Sequence, residues 1–390
     1  MATPPRSGGA TDFTEEEIQA RDDAFLSGAE ESDSEIETKA QKTTKLMEAA
    51  EVILDDVDDE YKSLSSIKKI FEEWKRDFPE QYANVYCSLS IPQLLQPLVR
   101  LEMLSWNPVY NTLLQDGSDV EDFEVFKWYQ IFADYASGIP TPANAPEAEV
   151  DPDENLVPKL IEICIFPRVT RLIKEAYDPV SSTKSAKLLA VISELLMYEP
   201  STESIKELFQ AVLLQVRHTI EDLCIPLLDL SDCAALHFTR KQLFIALKLY
   251  KNIGLFEKYL SPQVLAPLAI TELIGKKAVP VMSHMLDQMK WPKRSEGQPP
   301  SDVQQQILRL CEDLASCTPD QWRKPELIDY WDLVHDLMAK LVQSFLSHCK
   351  SKISGPNRDF VKRIVEVQVA FGDIEGAQDL SKQAGLKLHL

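Results

Sequence analysis

From residue 41 onward the apolar positions recur every three or four residues. Leu46, Ala49, Ala50, Ile53 and Leu54 form one stripe, and Tyr61, Leu64, Ile67, Ile70, Phe71 and Trp74 form a second. That spacing places apolar side chains on one face of a helix. Residues 55–60 are an acidic break between the two stripes, and Pro79 stops the second. The pattern predicts further helices over 85–105, opened at Pro92, and over 120–135. Beyond them it predicts 156–165, 169–177, 182–198, 204–223, 237–260, 264–274, 277–289, 303–314, 327–349, 359–371 and 374–383. Alternating strand-like runs bounded by turn dipeptides are absent. The expected fold class is therefore all-α: an irregular α-solenoid or superhelical array of about a dozen helices.

Two stretches share one skeleton. Residues 100–109 read Arg-Leu-Glu-Met-Leu-Ser-Trp-Asn-Pro-Val, and residues 171–180 read Arg-Leu-Ile-Lys-Glu-Ala-Tyr-Asp-Pro-Val. Proline disfavours the α conformation in the residue before it, so each helix should stop near its aromatic, Trp106 or Tyr177. Asn107 and Asp178 tolerate such corners and bond locally. These corners are the expected joints of the array.

Residues 137–155 carry several prolines and acids and no apolar period, which reads either as a linker or as a long surface loop. The expected organisation is an acidic, disordered tail over 1–40, a helical part over 41–136, the linker, and a helical array over 156–390. Within the tail, Thr14 followed by Glu17 is a capping box for a short helix. Ser32 and Ser34 sit among acids and read either as sites for an acid-directed kinase or as part of a solvated tail.

Composition narrows the function. Glycine numbers 12 in 390 residues, which is low for glycine-rich phosphate loops, and neither nucleotide-binding glycine motif is present. The net charge is −21, and residues 1–60 hold 18 of the 62 acids against 5 of the 41 Lys and Arg. An acidic chain repels nucleic-acid phosphates. Seven cysteines without framework spacing read as reduced thiols, with Cys87, Cys164 and Cys224 among apolar neighbours. No window approaches a membrane span, and the start has no apolar signal region.

The search for site chemistry returns little. Cys224, Cys233 and His237 lack zinc-finger spacing, so no metal and no cofactor is expected. His348–Cys349 lacks a positioned acid. Lys62, Lys68, Lys69, Lys75 and Arg76 alternate with Glu72 and Glu73 and read as a solvated face. Arg168, Arg171 and Lys174 form a shorter basic row beside the second corner. Residues 290–294, Lys-Trp-Pro-Lys-Arg, are basic and loop-like. The stripe from Leu327 to Phe345 reads either as a docking face or as core. The candidate partner-binding residues are Trp106, Arg168, Arg171, Lys174 and Tyr177. Arg171 either holds a partner or serves the fold.

Residues 101–108, 157–164 and 177–181 resemble the GCF C-terminal domain, and residues 56–61 and 70–74 resemble that domain's opening helix. The domain occurs in GC-rich-sequence DNA-binding-factor-like proteins, paired-box-protein-binding factors and tuftelin-interacting proteins. The resemblance covers roughly residues 45–385. It implies a nuclear, non-enzymatic scaffold in pre-mRNA splicing, acting in intron-lariat spliceosome assembly or disassembly. The implied partners are spliceosomal proteins, including a tuftelin-interacting-protein-like subunit and, through it, a DEAH-box helicase. The glycine-rich helicase-activating patch is absent, so the resemblance implies the companion subunit. Family members usually carry a long N-terminal half, whose functions are not carried over. The alternative it implies is a DNA-binding transcriptional regulator, and direct nucleic-acid binding stays open.

Overall fold

Serines begin several of the helices that periodicity predicts. Ser63, Ser181, Ser201 and Ser301 each accept a hydrogen bond from the backbone N–H three residues on, and Ser301 with Gln304 completes a capping box. A capped end satisfies donors that a helix otherwise leaves bare. In a computed structural model, residues 33–108, 123–135, 137, 139, 152–230, 232–288, 300–346 and 356–384 are described. All the regular elements among them are helices. In chain order they are α1 (Asp33–Glu51), α2 (Asp59–Lys62), α3 (Leu64–Asp77), α4 (Pro79–Asn84), α5 (Cys87–Glu102), α6 (Lys127–Phe132), α7 (Leu156–Leu160), α8 (Phe166–Ala176), α9 (Ser182–Leu195) and α10 (Thr202–Asp222). They continue as α11 (Cys233–Gly254), α12 (Pro262–Ala266), α13 (Val279–Asp287), α14 (Asp302–Cys317), α15 (Asp332–Leu346), α16 (Pro356–Ala370) and α17 (Ile374–Ala384). No helix among the described residues is long and apolar enough to cross a membrane.

The described helices fall into two compact units. One holds residues 33–223 together with 255–261, and the other holds 224–254 and 262–384. In the first, α5 packs on α7 and α8 packs on α10. In the second, α11 packs on the turns over 267–278, α13 on α15, and α14 on α16. Of the stretch 137–155, the described residues 137, 139 and 152–155 fall in the first unit.

Pro167, expected to end the helix over 156–165, does not end it. Pro167 and Pro280 each follow a wide π-helical stretch, Ile161–Ile165 and Pro267–Ala278. The chain therefore runs helically from 156 to 176 and from 262 to 287. Proline has no N–H for the carbonyl four residues back, and its ring crowds that carbonyl. A wider turn relieves the crowding. For Pro167 the carbonyl concerned is that of Ile163, which accepts instead from Gln96 Nε2 at 3.2 Å and Arg100 Nη2 at 3.3 Å. Pro92 likewise lies inside α5 and does not open it, because the chain turns earlier, at Tyr86, whose φ is 55°.

The expected single helix over 120–135 is also broken. Phe123–Val125 is one 3₁₀ turn, and α6 starts at Lys127 after an extended Phe126. The Glu102 carboxylate draws the new start into place by accepting from the N–H groups of Lys127 at 2.7 Å and Trp128 at 3.1 Å. Burial pushes the Glu102 pKa up, and these bonds oppose that rise. The Leu327-to-Phe345 stripe is core: Leu327, Trp331, Val334, Met338, Leu341 and Phe345 are all buried. Cys87 and Cys164 are buried, as their neighbours suggest, whereas Cys224 is exposed. It stands in the stretch without regular secondary structure that follows α10.

Candidate functional site

Both corner motifs stop their helices where the aromatic stands. After α5 a 3₁₀ turn, Met103–Ser105, leads to Trp106 in the extended conformation, and α8 gives way to an equally extended Tyr177. The Asp178 carboxylate accepts from the Val180 N–H at 2.9 Å, closing a local turn ahead of α9. Both aromatics turn inward and are 2% exposed. The Trp106 ring meets Phe123 and Phe126 edge to face, with centroids 5.8 and 6.2 Å away. The Tyr177 hydroxyl pairs with Ser185 Oγ of α9 at 3.0 Å.

The two corners are tied to one another by Arg168. Its guanidinium donates to the Leu104 carbonyl at 3.0 Å and to the Trp106 carbonyl at 2.6 and 3.1 Å. These are carbonyls that a helix end leaves without intrahelical donors. Arg168, early in α8, thus caps the first corner from the helix that leads to the second. Burial, reinforced by nearby Arg171, lowers its pKa. The rest of the basic row faces outward. Arg171 is exposed and pairs with Glu175 at 2.9 Å, and Lys174 is exposed on the same helix.

So the five candidate residues divide. Trp106 and Tyr177 are buried, Arg168 is bound to main-chain carbonyls, and Arg171 and Lys174 offer surface. Ser34 falls in the first turn of α1. Ser32, the capping box at Thr14, the basic stretch 290–294 and the pair His348–Cys349 lie outside the described residues.

The same unit holds a buried polar cluster that sequence reasoning did not find. Lys75 Nζ donates to Asp153 Oδ2 at 2.7 Å, and both side chains are almost fully buried. The Tyr82 hydroxyl donates to the same oxygen at 3.0 Å and lies 2.9 Å from the Tyr135 hydroxyl. Burial, and then the bond to Tyr135, pushes the Tyr82 pKa up. Lys75 was expected on a solvated face. Its neighbours Lys68 and Lys69 do pair with Glu72 and Glu73 at i,i+4, but Lys75 faces inward. Its partner lies 78 residues away, and no local spacing announces it.

Residues 64–279 match the family described as GC-rich sequence DNA-binding factor-like protein, over more than half of the chain. The chain belongs to that family. The matched span includes both corners, Arg168 and the buried cluster. This GC-rich sequence DNA-binding factor-like chain is 30% identical over 221 residues to the transcriptional repressor ILP1 of Arabidopsis thaliana, covering 55% of this chain and 23% of the relative. It is 22% identical over 311 residues to the PAX3- and PAX7-binding protein 1 of Homo sapiens, covering 77% and 31%. It is 21% identical over 287 residues to the Intron Large complex component GCFC2 of Mus musculus, covering 71% and 34%. The chain thus spans about a third or less of the length of these curated relatives. The names of these three relatives describe binding, repression and complex membership, and none is that of an enzyme.

Proposed function

We propose that this chain is a non-enzymatic nuclear scaffold acting in pre-mRNA splicing, through protein contacts in intron-lariat spliceosome assembly or disassembly. The observation that carries the reading is the match to an Intron Large complex component along 71% of the chain. The structure is compatible with a scaffold. The corners and the buried cluster are spent on holding helices together, which leaves faces of a rigid helical unit for partners. Arg171 and Lys174 are the candidate contact residues that remain on the surface, and the acid-flanked Ser32 and Ser34 are candidate phosphorylation sites. The partners proposed are spliceosomal proteins, including a tuftelin-interacting-protein-like subunit and, through it, a DEAH-box helicase.

Affinity purification of the intact chain from nuclear extract, read by mass spectrometry, tests this. The expected result is enrichment of splicing proteins, retained after nuclease treatment. A second reading, transcriptional regulation through DNA, is favoured by the likeness to a transcriptional repressor. Recovery of chromatin proteins without splicing proteins would select it.

A further inference from the structure

Residues 81–99 hold no Asp, Glu, Lys or Arg, in a chain that is 26% charged. They run through α4 and most of α5, both in the first unit. The inner face of α5 is core, with Cys87, Ile91, Leu95 and Val99 buried. Its outer face is open. Ser90, Gln93 and Pro97 run down the middle, and Leu89 and Leu94, each 59% exposed, flank them. Tyr86, 69% exposed, stands at the N-terminal end. A solvated helix face normally carries charge, and an uncharged apolar one marks a contact surface.

Tyr86 is a second, independent sign. Its φ of 55° and ψ of 42° put a bulky aromatic in the left-handed region. Glycine or asparagine sits there at lower cost. Burial inside the unit does not offset that strain, because the ring is mostly in solvent. Strained residues of this kind cluster where a protein meets a ligand or partner.

Size and charge narrow the occupant. The sixteen residues of α5 extend about 24 Å, so one helix laid along it covers the face. A stable pair of copies buries about 800 Å² on each. That is more than one helix face provides, and it would set a net charge of −21 against another −21. Nucleic acid is repelled by the same charge. The ends of the surface favour a cation. Beside α4 the exposed carboxylates of Asp77 and Glu80 outnumber the exposed Arg76. At the far end Arg100 is turned to the Ile163 carbonyl. An acidic chain also steers cationic partners toward itself. A helix with apolar residues three and four apart suits the uncharged length, and Lys or Arg on its flanks suit the acidic surroundings.

We propose that the outer face of α5 seats a basic amphipathic helix of a partner protein, anchored on Tyr86, Leu89 and Leu94. The proposal rests on the scaffold reading only in taking the partner to be a protein. Purified components test it apart from the nuclear-extract experiment, whose failure would strike the splicing assignment alone.

The test uses the full chain and two synthetic helical peptides with the same leucine stripe, one lysine-flanked and one glutamate-flanked. Binding is read by fluorescence anisotropy. The lysine peptide is expected to bind at least about tenfold more tightly than the glutamate peptide. It should also slow amide hydrogen exchange over 86–98. Leu94→Ser and Tyr86→Asn should each weaken its binding about tenfold, the size of a lost apolar contact. Tyr86→Asn should leave the thermal unfolding midpoint level or higher, since asparagine accepts the left-handed backbone. The proposal is overturned if the lysine peptide binds both variants as tightly as the parent, which is adhesion by charge alone. It is equally overturned if the glutamate peptide binds as well as the lysine peptide. A fall in the Tyr86→Asn midpoint overturns it too, because the ring then serves the fold. So does sedimentation that shows a dimer dissociated by Leu94→Ser, since the occupant is then a second copy.

Discussion

Arg168 shows how one side chain can replace a local cap. Its planar fork donates to two carbonyls at once. Hydrogen bonds from a charged donor contribute about 1.5–3 kcal/mol. Arg168→Ala is therefore expected to destabilise the fold by about 2–3 kcal/mol, mostly from two carbonyls left bare at a half-buried corner. Arg168→Lys should recover only part, because an ammonium cannot match the fork. Urea unfolding followed by circular dichroism gives both values. The buried thiols set a second expectation. Burial pushes Cys164 from an ordinary 9.0 to about 11 and Cys311 to about 12. Both stay protonated in the folded chain when the unfolded chain has begun to lose those protons. Their contribution is full below pH 9 and is lost as pH rises through the folded values. Stability should thus fall between about pH 9 and 11, and Cys164→Ala should flatten that fall in unfolding titrations at matched pH.

At the scale of the element, the buried cluster does what sequence neighbours cannot. Asp153 follows the stretch 140–151, and Lys75 sits on α3, so their ion pair fastens the return of the chain to its first helices. Two buried charges are stable only together. Removing one partner leaves the other charged and desolvated, which costs about 3–5 kcal/mol. Asp153→Ala should approach that cost in chemical denaturation. The double change Lys75→Met/Asp153→Leu should recover most of it, since an apolar pair of similar volume needs no desolvation. The turn between α16 and α17 is a contrasting case that the sequence does announce. Gly372 takes φ 84°, and Asp373 Oδ1 accepts from the Gly376 N–H at 2.9 Å. The positive φ makes glycine necessary at 372, while a side chain at Gly376 would push the Asp373 carboxylate and the Gln368 amide aside.

At the scale of the whole molecule, two units each carry an apolar core, and the net charge is −21. The family's description mentions DNA, so the charge makes a clear expectation. Phosphate binding releases counterions only where cations are gathered, and here 41 Lys and Arg stand against 62 Asp and Glu. In a gel shift at physiological salt, the isolated chain is expected to bind random duplex DNA no more tightly than about 10⁻⁴ M, the weak end of non-specific binding. Tight, sequence-selective binding would overturn this expectation.

What the sequence determined by itself is local. Periods of three and four residues give helices, serine caps give several starts, and Asx-Pro gives the two stops at Trp106 and Tyr177. The glycine pair around Asp373 is legible for the same reason: the backbone geometry depends on the residue and its immediate neighbours. What only the tertiary structure decided is every feature that rests on a distant partner. Pro167 was passed and not obeyed because Gln96 and Arg100 serve the carbonyl it deprives. The helix over 120–135 broke because Glu102 caps a later start. Lys75 went inward because Asp153 meets it there, and Arg168 became a clamp because the first corner lies within its reach. A hydrogen bond or ion pair across 25 to 78 residues leaves no period in the sequence, and its energy exists only once packing has excluded water from both partners.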